Sequence, residues 1–392
     1  MEWNTVYPVA QSSWGPCTNC DIPKVVEVSD PSGTKTRHTF GTLFQKTEGE
    51  LQSTTVIGSD NTVLRTTAMR YAEPVGPRGV SEQSRGDGSQ AARVREVDQR
   101  ITTQQGVDFT WEALSFNTDF AQVTQVRKSS GAPLNASRTE NMEYNNNVTK
   151  WVLGQVAKVT ELSTGRIPVF NVYDATNASL TSVSKFGKLE QSMTYHPDGT
   201  LATRTDGANH ITRFNSYKRG VPQSVVYANT TSESAVVNDL GLITATTNAV
   251  NFTTTYGYDA MGRLDLITPP VSGPQAWNPT TISYVKSSAP KLDLPAGYWR
   301  QEVKTGNNHT FTHYDAFWRP VYTEQWDNAD AANTRKIVKH GYDFGGRKTY
   351  ESYPKRVDAD IGYGIRYAFD GLGRPTVTET DSELGKLYTT NT

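Results

Sequence analysis

Five aspartates, Asp174, Asp259, Asp315, Asp343 and Asp370, each directly follow an aromatic residue. Carboxylates brought together in pairs can act as general acid and base. Here the spacing argues otherwise, because each Asp is followed by its own turn residues and so belongs to its own turn, where a carboxylate accepts hydrogen bonds from backbone amides just ahead. His309 and His313 are four residues apart, but no HExxH arrangement surrounds them and a stretch reading as strand and turn offers no third ligand. Cys17 and Cys20 form a lone CxxC without a second ligand pair for zinc, and are read as two thiols or a local disulfide. Arg85-Gly86-Asp87 sits in a polar loop, and three residues match an adhesion tripeptide easily by chance. No G-x-S-x-G or phosphate-binding loop occurs. The expectation is no catalytic residue, no metal and no cofactor.

The elements that carry these residues are strands. Only 35% of residues are hydrophobic while 10% are aromatic, with 19 Tyr, 8 Trp and 13 Phe beside abundant Thr and Val. Mean hydropathy is −0.58. That mixture suits wide pleated surfaces with a thin apolar layer. A formal net charge of −1 gathers neither nucleic acid nor anionic lipid. No apolar run is long enough for a membrane-spanning helix, and Met1–Ala10 lacks the basic start and apolar core of a signal peptide.

Self-similarity organises the chain. "TTTYGYDAMGRLDLIT" from Thr253 recurs as "KHGYDFGGRKT", "RYAFDGLGRPT", "THYDAFWRPVYT", "YHPDGTL" from Tyr195, "VNDLGLIT" and, weakly, "VYDATNASL" around Tyr173. The predicted turn positions are Asn177, Gly199, Gly220, Gly241 and Gly262, separated by 22, 21, 21 and 21 residues, then Trp318, Gly346 and Gly373, separated by 28 and 27. The gap of 56 from Gly262 to Trp318 predicts a degenerate copy between Pro269 and Pro295. Tyr256 and Tyr258 share one strand face and present paired aromatics to neighbouring hairpins. Asp259 opens the turn, Gly262 takes the left-handed position, and Arg263 starts the returning strand. The same roles fall to Tyr314, Asp315, Trp318 and Arg319; to Tyr342, Asp343, Gly346 and Arg347; and to Phe369, Asp370, Gly373 and Arg374. Tyr173, Asp174 and Asn177 form the weak copy, with Asn as the residue next most willing to adopt positive φ. Trp318 is the exception, since a bulky residue there predicts a different turn or strain. A second turn at Asp206-Gly207, about seven residues after the first, makes each unit two strands and two turns.

The predicted fold class is all-β, with tandem hairpins forming a curved antiparallel sheet. Residues 1–150 read as a less regular β-rich part, with a Gly-rich charged loop from Pro74, and residues 151–392 as the regular array, continuing past the C-terminus.

The Tyr-Asp-x-x-Gly-Arg string in register, with "TKWVLGQVAKVT" ahead of it, resembles the Rhs or YD-repeat family, which includes the C components of insecticidal toxin complexes and the YD shell of teneurins. The resemblance runs from Tyr144 to the C-terminus. It implies a β-ribbon spiralling into a hollow cocoon around a C-terminal toxin, with the remaining shell or a polypeptide cargo as partner and export by a specialised route. Relatives with cargo carry an Asp-Pro-x-Gly cleavage segment; "SDPSG" at Asp30 is similar only superficially and reads as a turn. The expected function is confinement rather than catalysis. The alternative is an extracellular adhesin or carbohydrate-binding surface, with a glycan or cell-surface receptor as partner.

Overall fold

The computed structural model describes residues 3–6, 22–42, 47, 49–72, 96–271, 277–356 and 362–391. Cys17, Cys20, the Arg85-Gly86-Asp87 tripeptide and most of the loop from Pro74 lie outside the described residues. Among the described residues there are 29 strands and one helix, α1 (Ala331–Thr334). The chain divides into two compact units, Met1–Glu190 and Gln191–Thr392.

The first unit holds β1 (Asn4–Val6), β2 (Lys24–Ser29), β3 (Lys35–Phe40), β4 (Leu51–Ile57), β5 (Val63–Tyr71), β6 (Val97–Gln104), β7 (Val107–Phe116), β8 (Val123–Ser130), β9 (Ser137–Asn147), β10 (Val152–Glu161), β11 (Val169–Tyr173) and β12 (Leu180–Lys185). Each pairs antiparallel with the next. Across the division runs β13 (Lys188–Tyr195).

The second unit continues with β14 (Leu201–Asp206), β15 (Ile211–Lys218), β16 (Val221–Val226), β17 (Ser232–Val237), β18 (Ile243–Thr247), β19 (Thr253–Tyr258), β20 (Leu264–Thr268), β21 (Thr280–Lys286), β22 (Trp299–Thr305), β23 (Asn308–Tyr314), β24 (Pro320–Asp327), β25 (Lys336–Tyr342), β26 (Lys348–Ser352), β27 (Gly364–Phe369), β28 (Pro375–Ser382) and β29 (Gly385–Thr390). From β13 to β29 every strand again pairs antiparallel with its successor. Both units are therefore meanders of short hairpins.

Thr and β-branched residues make these strands because they pack well on a half-buried pleat. Threonines directly opposite one another hydrogen-bond across the ladder at Thr194–Thr203 (2.7 Å), Thr247–Thr253 (2.8 Å) and Thr280–Thr305 (2.7 Å). Such pairs contribute about 0.2–1 kcal/mol each and compensate for sparse apolar burial.

Left-handed residues fall at Ala178 (φ 61°), Gly199 (86°), Gly220 (79°), Gly241 (85°) and Gly262 (75°), each 21 residues after the last. The alternate corners place Asn209, Thr230 and Asn251 in the same conformation, also 21 apart. One sequence expectation changes here. The left-handed residue of the weak copy is Ala178, not Asn177. That loop is one residue longer, with the Ala178 amide donating to the Asp174 carbonyl, so Asn177 instead caps the turn by accepting from the Ser179 amide. At Asp206 the turn opens where the sequence placed it, and its left-handed residue is Asn209. Gly220 belongs to a two-residue corner with Arg219, both at positive φ, because Lys218 pairs directly with Val221.

Past Gly262 the step lengthens. The predicted degenerate copy is a broad corner, residues 287–298, joining β21 to β22. It is held by Ser287 donating to the Tyr298 carbonyl and by reciprocal amide bonds between Lys291 and Leu294. It delivers Leu294 and Tyr298 onto Tyr322 and Ile337, which together form the buried hydrophobic cluster of this unit, with Val321 packed against it.

Candidate functional site

Asp259 shows what the repeated corner is for. Its Oδ1 accepts the Met261 and Arg263 amides, both at 2.9 Å, and its Oδ2 accepts Arg263 Nε at 2.7 Å. The Gly262 amide donates to the Asp259 carbonyl and the Asp259 amide to the Arg263 carbonyl. This is a type I turn followed by a glycine bulge. Asp315 with Arg319, Asp343 with Arg347 and Asp370 with Arg374 repeat the set, each with the Arg Nε bond at 2.7 Å. Asn238 and Asn248 make the two amide contacts. Asp206 adds His210 Nδ1 at 3.0 Å in place of the arginine. The amide and side-chain bonds from Arg263 hold the Asp259 carboxyl below its ordinary value. Every such carboxylate is committed to its own turn, so the series does not converge on a pair.

The arginine also links one corner to the next. Arg319 donates to the Asp343 carbonyl at 3.2 Å and stacks 5.0 Å over Tyr342, while Arg347 donates to the Asp370 carbonyl at 3.4 Å and lies 4.8 Å over Phe369. Arg263 lies 4.9 Å over Tyr284. The aromatic and the arginine of the motif therefore meet between repeats, not within one.

A second device was not anticipated from sequence. Tyr258 donates to the carbonyl of Ile243 at 2.6 Å, Tyr342 to Pro320 at 2.8 Å, Tyr217 to Leu201 at 2.7 Å, Tyr144 to Val123 at 2.8 Å and Tyr71 to Leu51 at 3.0 Å. In each case the acceptor is the first residue of the preceding strand. The signal was available, since Tyr258 and Tyr342 close their strands just before a corner, and Tyr71 is the last residue of its strand. Tyr173 reaches the Val156 carbonyl, and Tyr256 meets the Thr246 hydroxyl at 3.0 Å. Burial raises Tyr195 and Tyr314 above the usual phenol range.

Trp318 adopts φ 60° in the same corner as the glycines, with its amide donating to the Asp315 carbonyl. The turn is the common one, and the bulky side chain bears the left-handed strain, about 1–2 kcal/mol.

One ion cluster has no local sequence signature, because its members come from the 287–298 corner, β23, β24, the end of α1 and β25. The buried Glu324 lies 2.9 Å from His313 Nε2 and 3.0 Å from Lys291 Nζ, and it accepts Arg335 Nη2 at 2.8 Å. His313 Nδ1 is 3.2 Å from the Tyr298 hydroxyl. Beside it, Asp293 accepts the Tyr322 hydroxyl at 2.5 Å and Lys339 Nζ at 2.7 Å. Burial alone would raise Glu324, but hydrogen bonds from His313, Arg335 and Lys291 outweigh it and hold the carboxyl far below the usual range. Burial, then the bond to Asp293, push Tyr322 up to about 12. His309 instead packs edge-on to Trp326 at 5.6 Å, so the two histidines do not form a joint site. Among the described residues no group of three His, Cys, Asp or Glu side chains is arranged to hold a metal, and no helix is long and apolar enough to cross a membrane.

The fold and its corners define a tandem β-hairpin repeat protein. Residues 237–270 match the RHS Repeat family. That match covers β18 to β20 and the Gly241 and Gly262 corners. Among solved structures, a TcdB2-TccC3-Cdc42 complex is 13% identical over 93% of this chain and 19% of that one, with a TM-score of 0.48. TcdB2-TccC3 without its hypervariable C-terminal region is 11% identical over the same shares, also at 0.48. The Photorhabdus luminescens Tc holotoxin pore is 11% identical over 94% of this chain and 24% of that one, at 0.39. The chain thus spans about a fifth to a quarter of these toxin-complex chains. No curated protein matches the sequence.

Proposed function

We propose that this chain is a length of wall in an RHS-repeat shell, and that the shell confines a polypeptide cargo of the same parent protein, exported by a specialised route. The role is structural: the repeated carboxylates, arginines and tyrosines are spent on closing corners and clamping strands. The observation that carries the reading is the 21-residue recurrence of left-handed corners from Ala178 to Gly262. A sheet made this way extends by adding equal hairpins, and its ladder bonds continue from one unit to the next. Paired strands expose few free edges and so make a barrier that neither frays nor admits other chains. The test is limited proteolysis of the full-length parent. The cargo segment is expected to resist digestion until the wall is unfolded, whereas a cargo digested at the rate of the isolated segment removes the reading.

A further inference from the structure

β25 is joined to its neighbours differently from four other strands of the second unit. In β15, β17, β19 and β27 at least one residue belongs to both flanking ladders: Arg213, Ser234, Thr255 and, in β27, Ile365 and Arg366. In β25 no residue belongs to both. Lys336, Ile337, Val338 and Lys339 pair with β24, whereas His340, Gly341 and Tyr342 pair with β26. The ladder therefore changes hands between Lys339 and His340, and a seam runs through the ribbon there. Two further ties cross it, a bridge between Ile337 and Lys355 and the Lys339 amide donating to Ser352 Oγ at 2.8 Å.

One side chain spans the seam. His340 Nε2 lies 3.5 Å from the Thr323 hydroxyl of β24, and its Nδ1 lies 3.6 Å from the Glu351 carboxylate of β26. The side chain is 16% exposed, and Nδ1 is buried without a hydrogen-bond partner. A buried imidazole with an unmet ring nitrogen is better accommodated neutral than charged. β24 presents it with a hydroxyl and β26 with two charges, Glu351 and Lys348, which are already paired with each other. Burial outweighs the attraction of Glu351, and Lys348 opposes a second cation, so the imidazole titrates below its ordinary 6.5. Where the seam is open the ring is solvated and regains that ordinary value. The open form then takes up a proton first, so closure is complete above 6.5 and weakens as pH falls toward the folded value.

We propose that His340 makes the β24–β25–β26 seam a pH-sensitive joint: the neutral imidazole keeps it shut, and protonation releases the β25–β26 ladder. Three ladder pairs join β25 to β26, His340–Glu351, Gly341–Tyr350 and Tyr342–Lys348, with a register shift among them. So short a ladder parts without disturbing the longer ones beside it. It is the same whether or not the wall encloses a cargo, so the joint is independent of confinement.

Hydrogen exchange of the purified chain, read by mass spectrometry at about pH 7.5 and about pH 5.5 and corrected for the intrinsic rate at each, tests it. Amides of β25 and β26 are expected to lose protection about threefold or more at the lower pH, within the ceiling of about tenfold per pH unit that one proton sets. Those of β16 to β19 are expected to keep theirs. His340→Gln removes the titrating group and keeps a side chain able to bond Thr323, so protection of β25 and β26 should be equal at both pH values. Glu351→Gln keeps His340 but takes away the charge that favours its imidazolium, and should deepen the loss. Equal protection of β25 and β26 at both pH values in the unaltered chain overturns the proposal, as does a loss of undiminished size in His340→Gln.

Discussion

Two stretches of the second unit are built from the same corner and stabilised differently. Between Gln191 and Val271 the chain advances in 21-residue steps, and Val237 is its one buried hydrophobic residue. Between Trp277 and Asn391 the left-handed corners stand 28 and 27 residues apart, and Leu294, Tyr298, Tyr322 and Ile337 are buried. The additional residues lie partly in long corners, such as 287–298, and, in the step that carries α1, partly in the longer strands β24 and β25. A short corner satisfies only its own backbone. A long corner folds back over the sheet and gives the ribbon a local core. The first stretch therefore depends on cross-strand pairs and clamps, the second on burial and a desolvated ion cluster.

The contrast is tested most severely at Glu324. Glu324→Ala leaves His313, Lys291 and Arg335 without their shared carboxylate, and a loss of about 3–5 kcal/mol is expected in urea unfolding followed at the second stretch. A loss below about 1 kcal/mol would mean that the cluster is not what holds the long corner.

Acid should sharpen the same point. The folded Glu324 carboxyl titrates below its ordinary value of 4.5, so its contribution is complete above that pH and declines as pH falls toward the folded value. The expected slope is about 1.4 kcal/mol per pH unit below that point. Glu324→Gln should flatten that limb of the stability–pH curve, and an unchanged limb would assign acid sensitivity elsewhere.

In the 21-residue stretch the effects are smaller and repeated. Gly262→Ala places a Cβ at φ 75° with only Leu242 Cδ1 nearby, at 3.9 Å, so strain is isolated from clash. It should cost about 1–2 kcal/mol by thermal unfolding. Tyr258→Phe removes the donor to the Ile243 carbonyl and should cost about 1 kcal/mol. Equal losses from Tyr342→Phe would show that the clamp serves both stretches alike, while a much smaller one there would show that the core makes it redundant.

The corner positions were legible because turn chemistry is local. Asp accepts from amides two and four residues ahead, and glycine tolerates positive φ, so residue type and interval announce the hairpin. The same locality misplaced the weak copy. A loop one residue longer moved the left-handed site from Asn177 to Ala178, and Asn177 still looked suitable because it does bond within the turn, through its side chain. The tyrosine clamps were half legible: the donor stands beside the corner, but its acceptor is set by strand register about 15 to 22 residues away.

From its sequence alone this chain was bound to be all-β, to turn at regular intervals and to leave its motif carboxylates occupied, since each follows from a few consecutive residues. Only the tertiary structure decided that Arg319 and Arg347 stack on the aromatic of the following repeat, that a twelve-residue corner supplies the core, and that Glu324 gathers His313, Lys291 and Arg335. Those meetings depend on which strands lie side by side, and a carboxylate's partners across a sheet leave no mark in the residues next to it.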